Sequence, residues 1–241
     1  MYLAMRLAIL AVLALPLAAQ TARPSDTIST AAGPVKITPI MHASLLLQGG
    51  GKNIYIDPAQ GSFDGLPPAD LILVTDIHGD HMSQAMIDKV KQPSTAIWGP
   101  KAVADQIHAE PIANGETKKW GEWTVEAIPA YNIKRGPSAG KFYHDKGRGN
   151  GYILTYGGKR FYFSGDTEAI PEMLALRNID VAFVCMNLPF TMTPEEAAEA
   201  VRTFHPAIVY PYHYRGTDLS VFASALKGSN IEVRLREWYP K

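Results

Sequence analysis

"LILVTDIHGDHMS", Leu71 to Ser83, decides how this chain folds and what it holds. Leu71 to Val74 form an apolar run that reads as a buried strand. The residues after it crowd Asp76, His78, Asp80 and His81 onto one short turn. Ser83 then heads the helical pattern "SQAMIDKVKQ", where its hydroxyl is placed to cap the first turn. Two imidazoles and two carboxylates on such a turn repel one another or sit desolvated unless something positive holds them together.

Outward from that turn, the preceding sequence reads as strands: "VKITPIM", "SLLLQ" and "NIYIDP", with Gly49-Gly50-Gly51 as a hairpin turn between the last two. Downstream, "TAIWG" is a strand and "PKAVADQIHAE" a helix opened by Pro100. The second half repeats the plan. "EWTVEAIPA", "GYILTYGG" and "KRFYFSGD" read as strands, and "DVAFVCMN" and "AIVYPYH" as buried strands flanked by helices. Thr193-Pro194-Glu195-Glu196 carries a capping box with proline at the first helical position, and "DLSVFASALKG" is a helix stopped by Gly228. Two sheets packed face to face with helices outside bury both sets of apolar runs. The expected class is therefore α+β: a four-layer αβ/βα sandwich of two mixed β-sheets with helices on the outer faces.

The 241 residues begin with "MYLAMRLAILAVLALPLAAQ": one basic residue, Arg6, an apolar run from Leu7 to Leu17, and small residues ending near Ala19. That layout predicts a secretory signal over residues 1–19, too short for a comfortable membrane span. Residues 20–33 are expected to be a flexible tether, and residues 34–241 the folded domain, exported to the periplasm or secreted. Without Arg6 the chain has 22 basic and 23 acidic residues, which argues against a nucleic-acid surface and against stable membrane insertion after signal cleavage. The sole cysteine, Cys185 in "VAFVCMN", reads as a buried core thiol.

Polar residues recur where the strands end. Asp166 closes "KRFYFSGD", His213 closes "AIVYPYH", and His144 precedes a glycine-rich approach to a strand in "FYHDKGRGNGYIL". Strand ends are where a rigid scaffold hands residues to a site. Histidine nitrogens and carboxylate oxygens are the donors that Zn²⁺ and similar divalent ions take in open catalytic sites.

These motifs resemble the metallo-β-lactamase superfamily. Its H-x-H-x-D-H motif stands here as "DIHGDH"; His144 with Gly147 and Gly151, the "GDT" turn at Gly165-Asp166-Thr167, and the strand-closing His213 follow in order. The texture of "MHASLLL", "YIDP" and "GYILTYGGKRFYFSGDTE" is closest to the branch of ascorbate-phosphate lactonases and related metal-dependent hydrolases. The resemblance implies one or two divalent ions, Zn²⁺ first, with Mn²⁺ or Fe²⁺ as alternatives. One ion would take Asp76, His78 and His144; the other would take Asp80, His81 and His213; Asp166 would bridge them. It further implies hydrolysis of a small ester, lactone or phosphoester by water that the ions activate, with Asp80 or Asp166 steering or accepting the proton and His42, in "IMHAS", as a third catalytic candidate close to the metals, or else an internally hydrogen-bonded histidine.

Asp76 departs from the family pattern, in which a histidine opens the motif. Three carboxylates and a hydroxide balance two divalent ions, where the usual set leaves one positive charge over. A less positive centre acidifies water less, favours harder ions, and brings a mononuclear site into view. The alternative to ligation is that Asp76 orients His78 from behind. His144 competes with Asn132, which follows "IPAY" where many relatives carry the motif-two histidine. The loop from Asn132 to Asn150 adds Lys134, Arg135, Lys141, Lys146 and Arg148, as a solvated basic loop or as a grip for an anionic small-molecule substrate. Three other functions share such a constellation: a periplasmic β-lactamase, a di-iron redox enzyme, and a non-catalytic metal-binding module.

Overall fold

The computed structural model describes residues 23–239. Seven strands form one sheet in chain order: β1 (Asp26–Thr30), β2 (Gly33–Met41), β3 (Ser44–Gly49), β4 (Lys52–Ile56), β5 (Leu71–Leu73), β6 (Ala96–Gly99) and β7 (Glu110–Pro111). Seven more form the second sheet, also in chain order: β8 (Thr117–Trp120), β9 (Trp123–Ala130), β10 (Gly149–Tyr156), β11 (Lys159–Phe163), β12 (Val181–Cys185), β13 (Ile208–Tyr212) and β14 (Glu232–Val233). In each sheet the first four strands run antiparallel and the last three are added parallel. Parallel neighbours need crossover connections, and these carry the helices. They are α1 (Gln84–Val90) and α2 (Lys101–Ala104) in the first half, and α3 (Pro171–Leu174), α4 (Pro194–Phe204) and α5 (Leu219–Ala225) in the second.

Side-chain alternation sorts the layers. On β3, Leu45 and Leu47 enter the core between the sheets, where they join Ile54, Ile56, Leu154, Phe161 and Phe163. Leu46 and Tyr55 point the other way, into an outer layer with Ile87 and Val90 of α1 and Val103 of α2. That is the period of two expected of a strand covered on both faces. The short runs β5 and β12 are buried throughout, as strands inside a parallel region must be. Ser83 accepts the Met86 N–H at the start of α1, and the Thr193–Glu196 capping box opens α4.

Two expectations are corrected. Residues 26–33 are not tether: Asp26–Thr30 pairs as β1 with β2, which itself begins at Gly33. Apolar alternation is weak there, and Asp26 supplies the missing tie, accepting Arg236 Nε (2.9 Å), Arg236 Nη2 (2.9 Å) and the Tyr210 hydroxyl (2.6 Å). The helix expected over residues 100–110 is one turn, Lys101–Ala104. The signal-like segment lies outside the described residues. No described helix is long and apolar enough to cross a membrane.

The two halves share one plan. Asp57 follows β4 as Asp166 follows β11, and His42 sits between β2 and β3 as His144 sits between β9 and β10. The sheets thus deliver equivalent loops to one edge of the sandwich.

Candidate metal centre

All seven residues expected as ligands meet at that edge. Asp76, His78, Asp80 and His81 come from the loop after β5, His144 from the β9–β10 loop, Asp166 from the turn after β11, and His213 from the end of β13. Their donor atoms fall into two overlapping groups. In one, Asp76 Oδ2 lies 3.1 Å from His78 Nδ1 and 3.9 Å from His144 Nε2, which is 3.0 Å from Asp166 Oδ2. In the other, His81 Nε2 lies 3.1 Å from His213 Nε2, 3.2 Å from Asp166 Oδ2 and 3.9 Å from Asp80 Oδ1. His213 Nε2 is 3.4 Å from both Asp80 Oδ2 and Asp166 Oδ1. Donors about 2.0–2.1 Å from a tetrahedral ion stand about 3.3 Å apart, so these separations fit a shared cation.

The hydrogen bonds behind the ligands fix which ring nitrogens are free. Asn132 Oδ1 accepts both the His144 backbone N–H (2.8 Å) and Nδ1–H (2.6 Å), while its amide nitrogen donates to Phe190 O (2.8 Å). His144 therefore aims a lone pair on Nε2 at Asp166. His81 Nδ1 donates to Asp57 Oδ2 (2.8 Å), a buried carboxylate that also accepts the Thr75 N–H (2.7 Å) and hydroxyl (2.6 Å). His81 Nε2 then faces Asp166 and His213 as an acceptor. Lone pairs opposed at about 3 Å need a cation or protons between them, and buried Asp166 Oδ1 has no hydrogen-bond partner of its own among the described residues. The donor set fits a divalent ion. Burial opposes the Asp166 charge, but His213 and His81 beside it hold the carboxyl well below its usual range.

His42 reaches the site, though in a supporting place. The Tyr239 hydroxyl accepts the backbone N–H groups of Tyr214 (3.1 Å) and Arg215 (2.8 Å), so its own proton turns to His42 Nδ1 at 2.5 Å. His42 then donates from Nε2 to Asp80 Oδ2 at 3.1 Å. Burial pushes its pKa down to about 4, which keeps the ring neutral. His42 thus positions Asp80, and with Asp80 and His213 it forms a third group whose donor atoms converge closely enough to hold an ion. His42, Asp57 and His213 all hold positive φ (57°, 45° and 50°), a strained choice for residues with side chains.

Asp76 both approaches His78 and is gripped from behind. Arg148 donates from Nε to Oδ1 (3.0 Å) and from Nη2 to Oδ2 (2.8 Å), and also from Nη2 to Tyr143 O (2.9 Å). The other loop cations are engaged as well. Arg135 pairs with Glu168 (2.5 Å) and Glu196 (2.7 Å), Lys146 with Glu172 (3.1 Å), and Lys134 with Glu196 (3.8 Å). Of the five, only Lys141 makes no ion pair among the described residues. Asn132, Asp57, Tyr239 and Glu168 were not singled out by sequence as supports. For Asp57 a signal existed: it ends its strand as Asp166 ends the equivalent one. Cys185 is buried, and burial pushes its thiol up to about 11.

Above the centre opens a cavity of about 420 Å³. His78, Asp80, His144 and Asp166 form its floor; Pro137, Phe142, Tyr143 and Phe190 form its wall.

Residues 39–214 match the family described as the β-lactamase superfamily domain. The chain is 32% identical over 195 residues to a UPF0173 metal-dependent hydrolase of Thermococcus kodakarensis, covering 75% of this chain and 84% of that one. A crystal structure of a proposed metal-dependent hydrolase from Parabacteroides distasonis superposes with a TM-score of 0.86 at 40% identity, over 90% of this chain and all of the other. The fold alone is shared with a metallo hydrolase of Ignicoccus hospitalis, at a TM-score of 0.69 and 21% identity over 84% of this chain and 95% of that one. Two mixed seven-stranded sheets, a shared histidine–aspartate centre and these relatives agree: the chain belongs to the metallo-β-lactamase superfamily, as one of its metal-dependent hydrolases.

Proposed function

We propose that this enzyme hydrolyses a small uncharged ester or lactone bearing an apolar group, with zinc as its ion. The observation that carries the reading is the aromatic wall over the centre. Phe142 and Phe190 are 38% and 41% exposed, and Tyr143 packs edge-on against Phe190 with ring centroids 4.9 Å apart. No lysine or arginine lines that cavity, so a phosphoester has less to hold it than an apolar acyl or aryl group. Four imidazoles among seven donors favour Zn²⁺ over harder ions.

When bound, a divalent ion supplies Lewis acidity and a nucleophile from water near neutral pH. The side chains do the rest. Asp80, at 28% exposure against 3% and 5% for Asp76 and Asp166, is the carboxylate most open to the cavity. With Oδ2 held by His42, it is placed to accept the proton of the attacking water. The aromatic wall excludes water from the far side of the substrate and presents its carbonyl to the floor. The signal-like sequence start supports export of this activity to the periplasm or medium, which fractionation of a C-terminally tagged chain tests.

Zinc-loaded and chelator-stripped enzyme should be compared on aryl esters, lactones, phosphodiesters and nitrocefin. Metal-dependent turnover of neutral esters or lactones is expected, with Phe190→Ser lowering kcat/KM about tenfold at unchanged metal content. Turnover of phosphodiesters alone, or of nitrocefin alone, would sink this substrate class.

A further inference from the structure

We propose that Asp76 and Arg148 together replace the histidine that usually opens the H-x-H-x-D-H motif, as a neutral pair whose carboxylate faces the ion and whose guanidinium cancels the added charge. This rests on the metal centre described above but not on any substrate. The paired side chains are 3% and 19% exposed, and the contact is bidentate, the geometry in which guanidinium and carboxylate bind most firmly. Asp76 Oδ2, which accepts Arg148 Nη2, also lies 3.1 Å from His78 Nδ1 and 3.9 Å from His144 Nε2, so its second lone pair is the one toward the centre.

The charge count follows directly. Asp76, Asp80 and Asp166 with Arg148 sum to −2; a set with histidine at position 76 and only Asp80 and Asp166 ionised also sums to −2. The deficit of positive charge expected from Asp76 alone therefore does not arise. Arg148 is delivered by the same loop as His144, four residues on, and its backbone N–H closes a turn on Asp145 O at 3.1 Å. One loop thus supplies both a ligand and the counter-charge for another. The guanidinium Nη2 also lies 3.4 Å from His78 Nε2, so the cation stands directly behind this ligand as well.

Charge compensation and simple positioning predict opposite signs. Zinc affinity and stoichiometry are to be measured by chelator competition and elemental analysis at one fixed pH on the full-length chain. Arg148→Gln keeps a hydrogen-bond donor and removes the charge, so it should bind zinc about tenfold more tightly. Arg148→Lys should stay within about threefold of the unaltered protein, and remains informative if the glutamine variant does not fold. Asp76→His strands a buried guanidinium beside the ion and should weaken binding at least tenfold, whereas Asp76→His with Arg148→Gln should return it to within about threefold. Weaker binding in Arg148→Gln, or a double variant no better than Asp76→His, would overturn the proposal. An unaltered protein that binds no metal would instead overturn the metal-centre reading itself.

Discussion

At the scale of single residues, the ligands are ordered by what stands behind them. His81 is held by Asp57, so Asp57→Asn should weaken zinc binding about 10–100-fold while leaving the folded chain soluble. Chelator competition measures this, and unchanged affinity would remove Asp57 from the centre. The same pair sets a pH dependence. Burial works against a charged His81, yet Asp166 and Asp57 hold its proton, raising its pKa well above the ordinary 6.5 when no ion is bound. An ion must displace that proton. Zinc affinity should therefore fall on acidification from a pH above 6.5, by about tenfold per unit for one displaced proton. A flat profile between pH 8 and 6 would contradict it.

At the scale of elements, the β9–β10 loop carries His144 and Arg148, and Glu168 anchors it. The Glu168 carboxylate accepts the backbone N–H groups of Ile133 and Lys134, both at 2.6 Å, and an Arg135 bond at 2.5 Å. Burial opposes its charge, but these donors hold its pKa below the usual 4.5. A lowered value stabilises the folded loop above the unfolded pKa and loses that contribution as pH falls through the folded one. Glu168→Gln should cost about 1.5–3 kcal/mol of stability, read by denaturant titration, and expose the loop to proteolysis between residues 133 and 143. The rest of the loop shows what the sequence disclosed. "DIHGDH", "GDT" and the strand-closing His213 were legible because their donors sit beside apolar strands whose ends are easily read. Asn132 was not, since its partner lies twelve residues away and only the folded loop joins them. Arg148 read as one of five surface cations because nothing local shows which acid it meets. The strand β1 escaped notice because its tie is Asp26 to Arg236, across nearly the whole chain.

At the scale of the molecule, that tie fastens the first strand to the tail that presents Tyr239. Asp26→Asn removes the charge that accepts two guanidinium bonds and the Tyr210 hydroxyl. It should lower the melting temperature by several degrees and weaken His42's hold on Asp80, slowing turnover more than it lowers metal content. Equal losses of both would mean that the tail supports the whole centre.

The matched sheets carry one more consequence. Each is built from consecutive strands, so each can assemble from nearby chain, yet neither owns a full set of donors. Four come from the first half and three from the second. A divalent ion is therefore a clasp fastened only once both halves have met, late on the way to the native state. Stripping it should leave the refolding rate nearly unchanged and hasten unfolding, because the halves then part along an unpinned seam.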